Sequence, residues 1–312
     1  MRRRTRLYDA AAAWAAAAVL AVACQGSTSQ PAGSRSRAAL PEAALVYGQG
    51  PEGARSLYVV PVEGGEPTRL THHPASDGLP RWSRDGQAVV FASNRSGNWQ
   101  LWSVPADGGD PVRVRDNEHR EWQADESPDG RFLVFLSNRQ GPEYLWLLDR
   151  STGDLRALVR HGKRTVMGNP HWSPDGKQIV FSSNWKSGHQ IYVVEAATGE
   201  ARRISPLGGC EPRFHPDGTR VVYVQRRPQG DKSLSRLVEH DLETGEETVL
   251  VDWPALNYDP VYSPDGSEIA FASTITGTWE IYRQRIEDGE AHQVTFAGAD
   301  ARYPDYRPSA TP

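Results

Sequence analysis

Hydrophobic and polar positions along residues 170–204, PHWSPDGKQIVFSSNWKSGHQIYVVEAATGEARRI, alternate in short runs that suit strands rather than helices. A first run at 171–173 meets Pro174-Asp175-Gly176, a tight turn in which proline presets φ and glycine accepts a positive φ. A second run at 177–183, rich in β-branched and aromatic residues, is followed by a longer hairpin at 184–188. A third run at 190–195 turns at Thr198-Gly199-Glu200 into a polar fourth run at 201–204. Two apolar inner strands and a polar outer one describe a small antiparallel sheet with one exposed edge.

The same unit recurs along the chain. The aromatic position before the Pro-Asp-Gly turn falls at Trp82, Trp172, Phe214, Tyr262 and Tyr306, with Glu126 standing in once. The second run carries Tyr47, Phe91, Phe135, Phe181, Tyr223 and Phe271. The third carries Leu57-Tyr58, Leu101-Trp102, Leu145-Trp146, Ile191-Tyr192, Leu237-Val238 and Ile281-Tyr282, and the following turn carries Gly65, Gly109, Gly153, Gly199, Gly245 and Gly289. Landmarks sharing one period mark six repeats. Residues 43–71 hold the second, third and fourth runs of a repeat without its first. The missing run stands at the far end, in Arg302-Tyr303-Pro304-Asp305-Tyr306. An open sheet at one end and a lone strand at the other predict a closed ring. The fold expected is all-β, a six-bladed β-propeller of four-stranded antiparallel blades, with the C-terminal strand joining the N-terminal blade.

Two repeats depart from the pattern. In one, Ala124-Asp125-Glu126 puts a carboxylate where the others have a ring, and Trp122 is expected to fill that space. In another, the hairpin at 226–235 is longer and more basic than its counterparts.

Composition changes the picture mainly at the N-terminus. Arg2, Arg3, Arg4 and Arg6 precede an Ala-rich apolar run ending at Ala23, too short to span a bilayer and patterned as a secretory signal. Residues 1–23 are therefore expected to be a signal peptide, 24–42 a Gly/Ser/Pro-rich tether, and 43–312 the propeller. Cys24 at the cut point resembles the acceptor cysteine of bacterial lipoproteins, so lipidation there is expected, placing the protein in the periplasm or at the cell surface on a membrane anchor. Cys210 is then the remaining thiol, without an internal disulfide partner, and reads as a small packed residue. The 312-residue chain carries a formal charge of −4, or −7 once the four arginines and one aspartate of the leader are removed. A net-acidic chain without a basic run is a poor nucleic-acid binder.

No catalytic constellation emerges. Asp85, Asp129, Asp175, Asp217 and Asp265 precede glycine in five equivalent turns, where an aspartate bonds its own backbone. The nine histidines lack metal-ligand spacing, so neither a metal nor a cofactor is expected. Position remains as a guide, because the segments leading into the innermost strands of a propeller crowd around its channel. Those positions hold Asp77, Glu121, Trp122, Gln123, Asn169, Glu211, Tyr258, Asp259, Arg302 and Tyr303, and all but Gln123 form the candidate binding set. The alternative is that loops are simply polar.

The elements Pro-x-Trp-Ser-Pro-Asp-Gly, Val-Phe-x-Ser and Ile-Tyr at 170–192 resemble the repeats of the TolB-type propeller family, and the resemblance covers residues 43–308. It implies the six-bladed fold. The type member carries an N-terminal α/β domain and binds the peptidoglycan-associated lipoprotein through its propeller; here a short tether stands in that domain's place. Similar repeats form the gating propellers of prolyl-oligopeptidase-type peptidases, whose hydrolase domain has no counterpart expected here. The function expected is a monomeric, lipid-anchored binding or scaffold module for an envelope protein, peptide or glycan. The alternative is a propeller-based lyase or hydrolase with its site at the channel mouth. Charged groups with strongly shifted pKa values at that mouth would favour the enzyme, and a flat aromatic rim the binder.

Overall fold

The computed structural model describes residues 41–160, 162, 165–185, 188–229 and 232–309. The expected signal peptide, Cys24 and most of the expected tether lie outside them. The described chain forms six four-stranded antiparallel sheets. Blade 1 combines Ala301–Tyr306 as its innermost strand with Ala44–Gln49, Ser56–Pro61 and Thr68–Arg69. Blades 2 to 6 follow in chain order over 77–113, 121–159, 167–203, 210–251 and 257–293. Closure occurs as the sequence predicts, with Leu45 opposite Tyr306 and Gln49 opposite Ala301.

The repeated landmarks turn out to be one device. Tyr47, Phe91, Phe135, Phe181, Tyr223 and Phe271 lie directly opposite Tyr58, Trp102, Trp146, Tyr192, Val238 and Tyr282 on the neighbouring strand. The opposed rings stack at centroid distances of 5.9 Å for Tyr47–Tyr58, 5.6 Å for Phe181–Tyr192 and 6.1 Å for Phe271–Tyr282. Cross-strand aromatic pairs of this kind stabilise a sheet by about 0.2–1 kcal/mol each. The core is not central. It is spread over apolar clusters at the contacts between neighbouring blades; Val46, Leu57 and Val59 of blade 1, for example, pack on Trp82, Val89 and Phe91 of blade 2. The Pro-Asp-Gly turns form as expected: Asp175 Oδ1 accepts from the Lys177 N–H at 3.0 Å and from the Ser173 hydroxyl at 2.7 Å, and Gly176 takes φ +71°.

Glu126 corrects one expectation. Trp122 does not fill the missing ring's place; it lies at the other end of the same strand, under the Arg120 guanidinium at 4.0 Å. Glu126 is itself buried, accepting from the Arg84 N–H at 2.7 Å and pairing with Arg150. Arg84 stands where four of the other turns have proline, so this turn has an N–H to donate, and the carboxylate supplies its acceptor. Arg84 and Glu126 are thus one compensated pair.

Candidate functional site

The innermost strands begin earlier than the sequence predicts. Blade 4 starts its strand at Met167, not at residue 171, and every candidate binding residue lies inside an innermost strand rather than in the segment before it. The cause is a bulge. In each blade the register slips in the middle of the innermost strand, between Gly168 and His171 in blade 4 and equivalently elsewhere. Leu79, Gln123, Asn169, Glu211, Asp259 and Tyr303 sit there at φ between +50° and +62°. Five of the six precede proline, which tolerates the bulge because it has no N–H to place in a ladder. Left-handed backbone at a non-glycine residue costs roughly 1–2 kcal/mol, so this ring stores strain six times around the axis.

Side chains at the bulge tie one blade to the next. Gln123 Oε1 accepts from the Asn169 N–H at 2.8 Å, Glu211 Oε2 from the Asp259 N–H at 2.7 Å, and Asp259 Oδ2 from the Tyr303 N–H at 3.2 Å. Around blades 5, 6 and 1 the ring gains charge. Arg302 Nε donates to Asp259 Oδ2 at 2.5 Å, while its guanidinium lies 4.1 Å from the Trp279 ring centroid, 5.0 Å from Tyr303 and 5.7 Å from Tyr258. Arg55 covers the Tyr303 ring at 5.4 Å. Arg226, from the long basic hairpin, acts electrostatically on Tyr258 and Glu211's neighbour Cys210. That hairpin therefore belongs to the same face as the mouth.

Burial, reinforced by the Asp259 charge, pushes the Glu211 carboxyl up to about 8. Although burial opposes its charge, Asp259 holds the Arg302 guanidinium firmly protonated. Burial also raises Tyr258 and the Cys210 thiol, which leaves Cys210 an unreactive packed residue. The result is a compact group with a carboxyl that carries a proton near neutrality, an ion pair and three aromatic faces.

Glu211, Tyr258, Asp259, Arg302 and Tyr303 thus come together. Asn169 lies on the same ring one blade away. Asp77, Glu121 and Trp122 do not join them. Asp77 is bound by Arg95 at 2.9 and 3.0 Å, and Arg95 stacks 5.0 Å over Trp102. Glu121 is held by Arg139, with Arg115 at 3.8 Å, though burial still raises its carboxyl. Both acids neutralise arginines laid along their own blades. Sequence reasoning missed Trp279 and Arg55, and it singled out the hairpin of Arg226 without placing it at the mouth; all three reach it from second-to-third-strand hairpins. Among the described residues no group of three or more His, Cys, Asp or Glu is placed to hold a metal ion, and no helix is long and apolar enough to cross a membrane.

The model of the TolB beta propeller domain matches residues 22–165 and 127–253. An uncharacterized protein of Agrobacterium fabrum is 32% identical over 99 residues, 32% of this chain and 31% of that protein. An uncharacterized peptidase of Bacillus subtilis is 33% identical over 88 residues, 27% of this chain and 13% of the peptidase. The chain thus covers less than a third of either relative. The crystal structure of TolB from Acinetobacter baumannii superimposes with a TM-score of 0.75 at 19% identity, covering 85% of this chain and 67% of that one. Repeats, closure and family match agree: the chain belongs to the TolB β-propeller domain family.

Proposed function

We propose that the protein is an exported, lipid-anchored propeller that binds an envelope protein, peptide or glycan at the channel mouth built by Glu211, Tyr258, Asp259, Arg302 and Tyr303. One observation carries this reading. Gln123 makes the same blade-to-blade hydrogen bond as Glu211 with a neutral amide, so the ring needs an acceptor at this position and not an acid. The carboxyl at 211 is surplus to the fold. Together with the ion pair and the aromatic faces it suits a hydroxyl- or amide-bearing partner, which can exchange hydrogen bonds with a protonated carboxyl and pack on rings. The likeness to TolB of A. baumannii is consistent with a binding module and leaves the partner open.

The test is affinity capture from envelope extract with wild type and Glu211→Gln, which keeps the inter-blade bond. The captured partner should be retained at least tenfold less by the variant. Equal retention, with Arg226 and Arg227 substitutions also silent, removes the mouth from consideration.

A second reading has its own observation. A carboxyl at about 8 keeps its proton at neutral pH and could serve as a general acid in a lyase or hydrolase. Turnover of envelope glycans or peptides that disappears in Glu211→Gln would establish it.

A further inference from the structure

A second ring of side chains faces the axis on the opposite face, where the Pro-Asp-Gly turns gather. It consists of the residue just before each conserved ring position: Arg81, Asp125, His171, Arg213, Val261 and Asp305. With the aromatic residues and turn prolines above them, all but Arg81 line a cavity of about 390 Å³. The charges are unevenly matched. In one half, Arg81 lies between Asp305, at 3.9 Å, and Asp125, which also faces Arg84 at 3.3 Å. These acids accept the Trp82 and Trp172 N–H groups, each at 2.8 Å. In the other half Arg213 lies between His171 and Val261. His171 Nδ1 accepts the Phe214 N–H at 3.1 Å, burial together with the Arg84 and Arg81 charges keeps the imidazole neutral, and Val261 carries no charge.

Arg213 is only 4% exposed, and among the described residues it has no ion pair. Its Nη1 donates to the Pro212 carbonyl at 2.8 Å, and its Nε has no partner. A buried guanidinium is ordinarily matched by a carboxylate or phosphate. Here the wall it faces is open. Between Leu79, Arg81, Gln123 and Asn169, in blades 2 to 4, the free space is about 10 Å³, room for one water molecule at most.

We propose that this funnel is a binding site for the C-terminal carboxylate of a peptide, entering end-on and pairing with Arg213. The guanidinium fork matches a planar carboxylate in two parallel hydrogen bonds. A phosphate dianion would instead meet the Asp125 and Asp305 carboxylates across the same cavity. Proline and aromatic rings, among them Pro216, Phe214, Tyr262 and Pro264, provide an apolar wall for the last few residues of the chain. Glu211, two residues before Arg213 on the same strand, is not among the residues that line this cavity.

The experiment titrates the full mature protein with a set of N-acetylated tripeptides, each as free acid and as amide, with galacturonate and inorganic phosphate as further probes. The expected result is that at least one free acid binds ten times or more tighter than its amide, and that Arg213→Met abolishes the difference. Arg213→Lys, which keeps the charge without the fork, retains part of it. The Arg213→Met protein should melt no lower than wild type, because it loses an unmatched buried charge. Equal affinity for acid and amide, no binding by any free acid, or Arg213-dependent binding of galacturonate or phosphate alone overturns the proposal. So does a free-acid preference that persists in Arg213→Met.

Discussion

Glu211 and Gln123 occupy the same place in two blades, and the contrast between them sets what can be measured at a single residue. In the fold the Glu211 carboxyl titrates at about 8, against an ordinary value of 4.5. Between those pH values the folded state holds a proton that the unfolded chain has lost, so stability is full below pH 4.5 and falls as pH rises through 8. The slope from this group is at most about 1.4 kcal/mol per pH unit. Glu211→Gln should remove it, unfolding at the same urea concentration as wild type near pH 4.5 and at a higher one at pH 8. Parallel curves for the two proteins across that range would show that Glu211 is charged throughout. Asp305, which burial pushes up to about 6, contributes to the lower part of the same slope in both proteins. In the sequence Glu211 was visible as an acid near the channel. Its raised proton affinity was not, because that depends on burial and then on the charge of Asp259, 48 positions further on.

The innermost strand is the element that the sequence described least well. The sequence reading starts the blade 4 strand at residue 171 and places Asn169 in the segment before it. The bulge instead continues the strand through the proline and turns the residue before it into the channel. Leu79 is the member of the ring with no polar group for that position. Leu79→Asn should stabilise the protein by about 0.5–1 kcal/mol, because asparagine occupies the left-handed region more readily; a thermal melt that moves down would place Leu79's apolar contacts above its backbone strain. The compensated pair at the next turn is a second feature of this strand. A double-mutant cycle on Arg84→Pro and Glu126→Ala should give a coupling of about 1 kcal/mol or more in urea unfolding, and additive losses would mean that the two departures are unrelated. Both irregularities were legible one by one. Their connection was not, since they lie 42 residues apart and meet only between blades.

At the scale of the whole molecule the reading from sequence was nearly complete, because a landmark repeated six times states the architecture far more strongly than any one strand. Deleting residues 303–312 should remove the innermost strand of blade 1, together with the Asp305 acceptor for the Trp82 N–H, and replace the cooperative melt by a broad one. A sharp transition within a few degrees of wild type would show that the ring does not need its clasp. Cys24→Ser should release the protein from the membrane fraction without altering its melting temperature, and acyl labelling equal in both proteins would exclude the anchor. The clasp also decides how the molecule bears force. The chain comes into the ring on the turn face, where Arg307 donates to the Pro41 carbonyl at 3.2 Å and to that of Ala44 at 2.8 Å. It then runs as Ala44–Gln49 between the C-terminal strand and Ser56–Pro61. Tension applied through residue 41 therefore acts along a strand held on both edges, loading two ladders in shear at once, so the propeller resists being pulled apart from that end far better than a strand at a free edge would, which peels away one bond at a time.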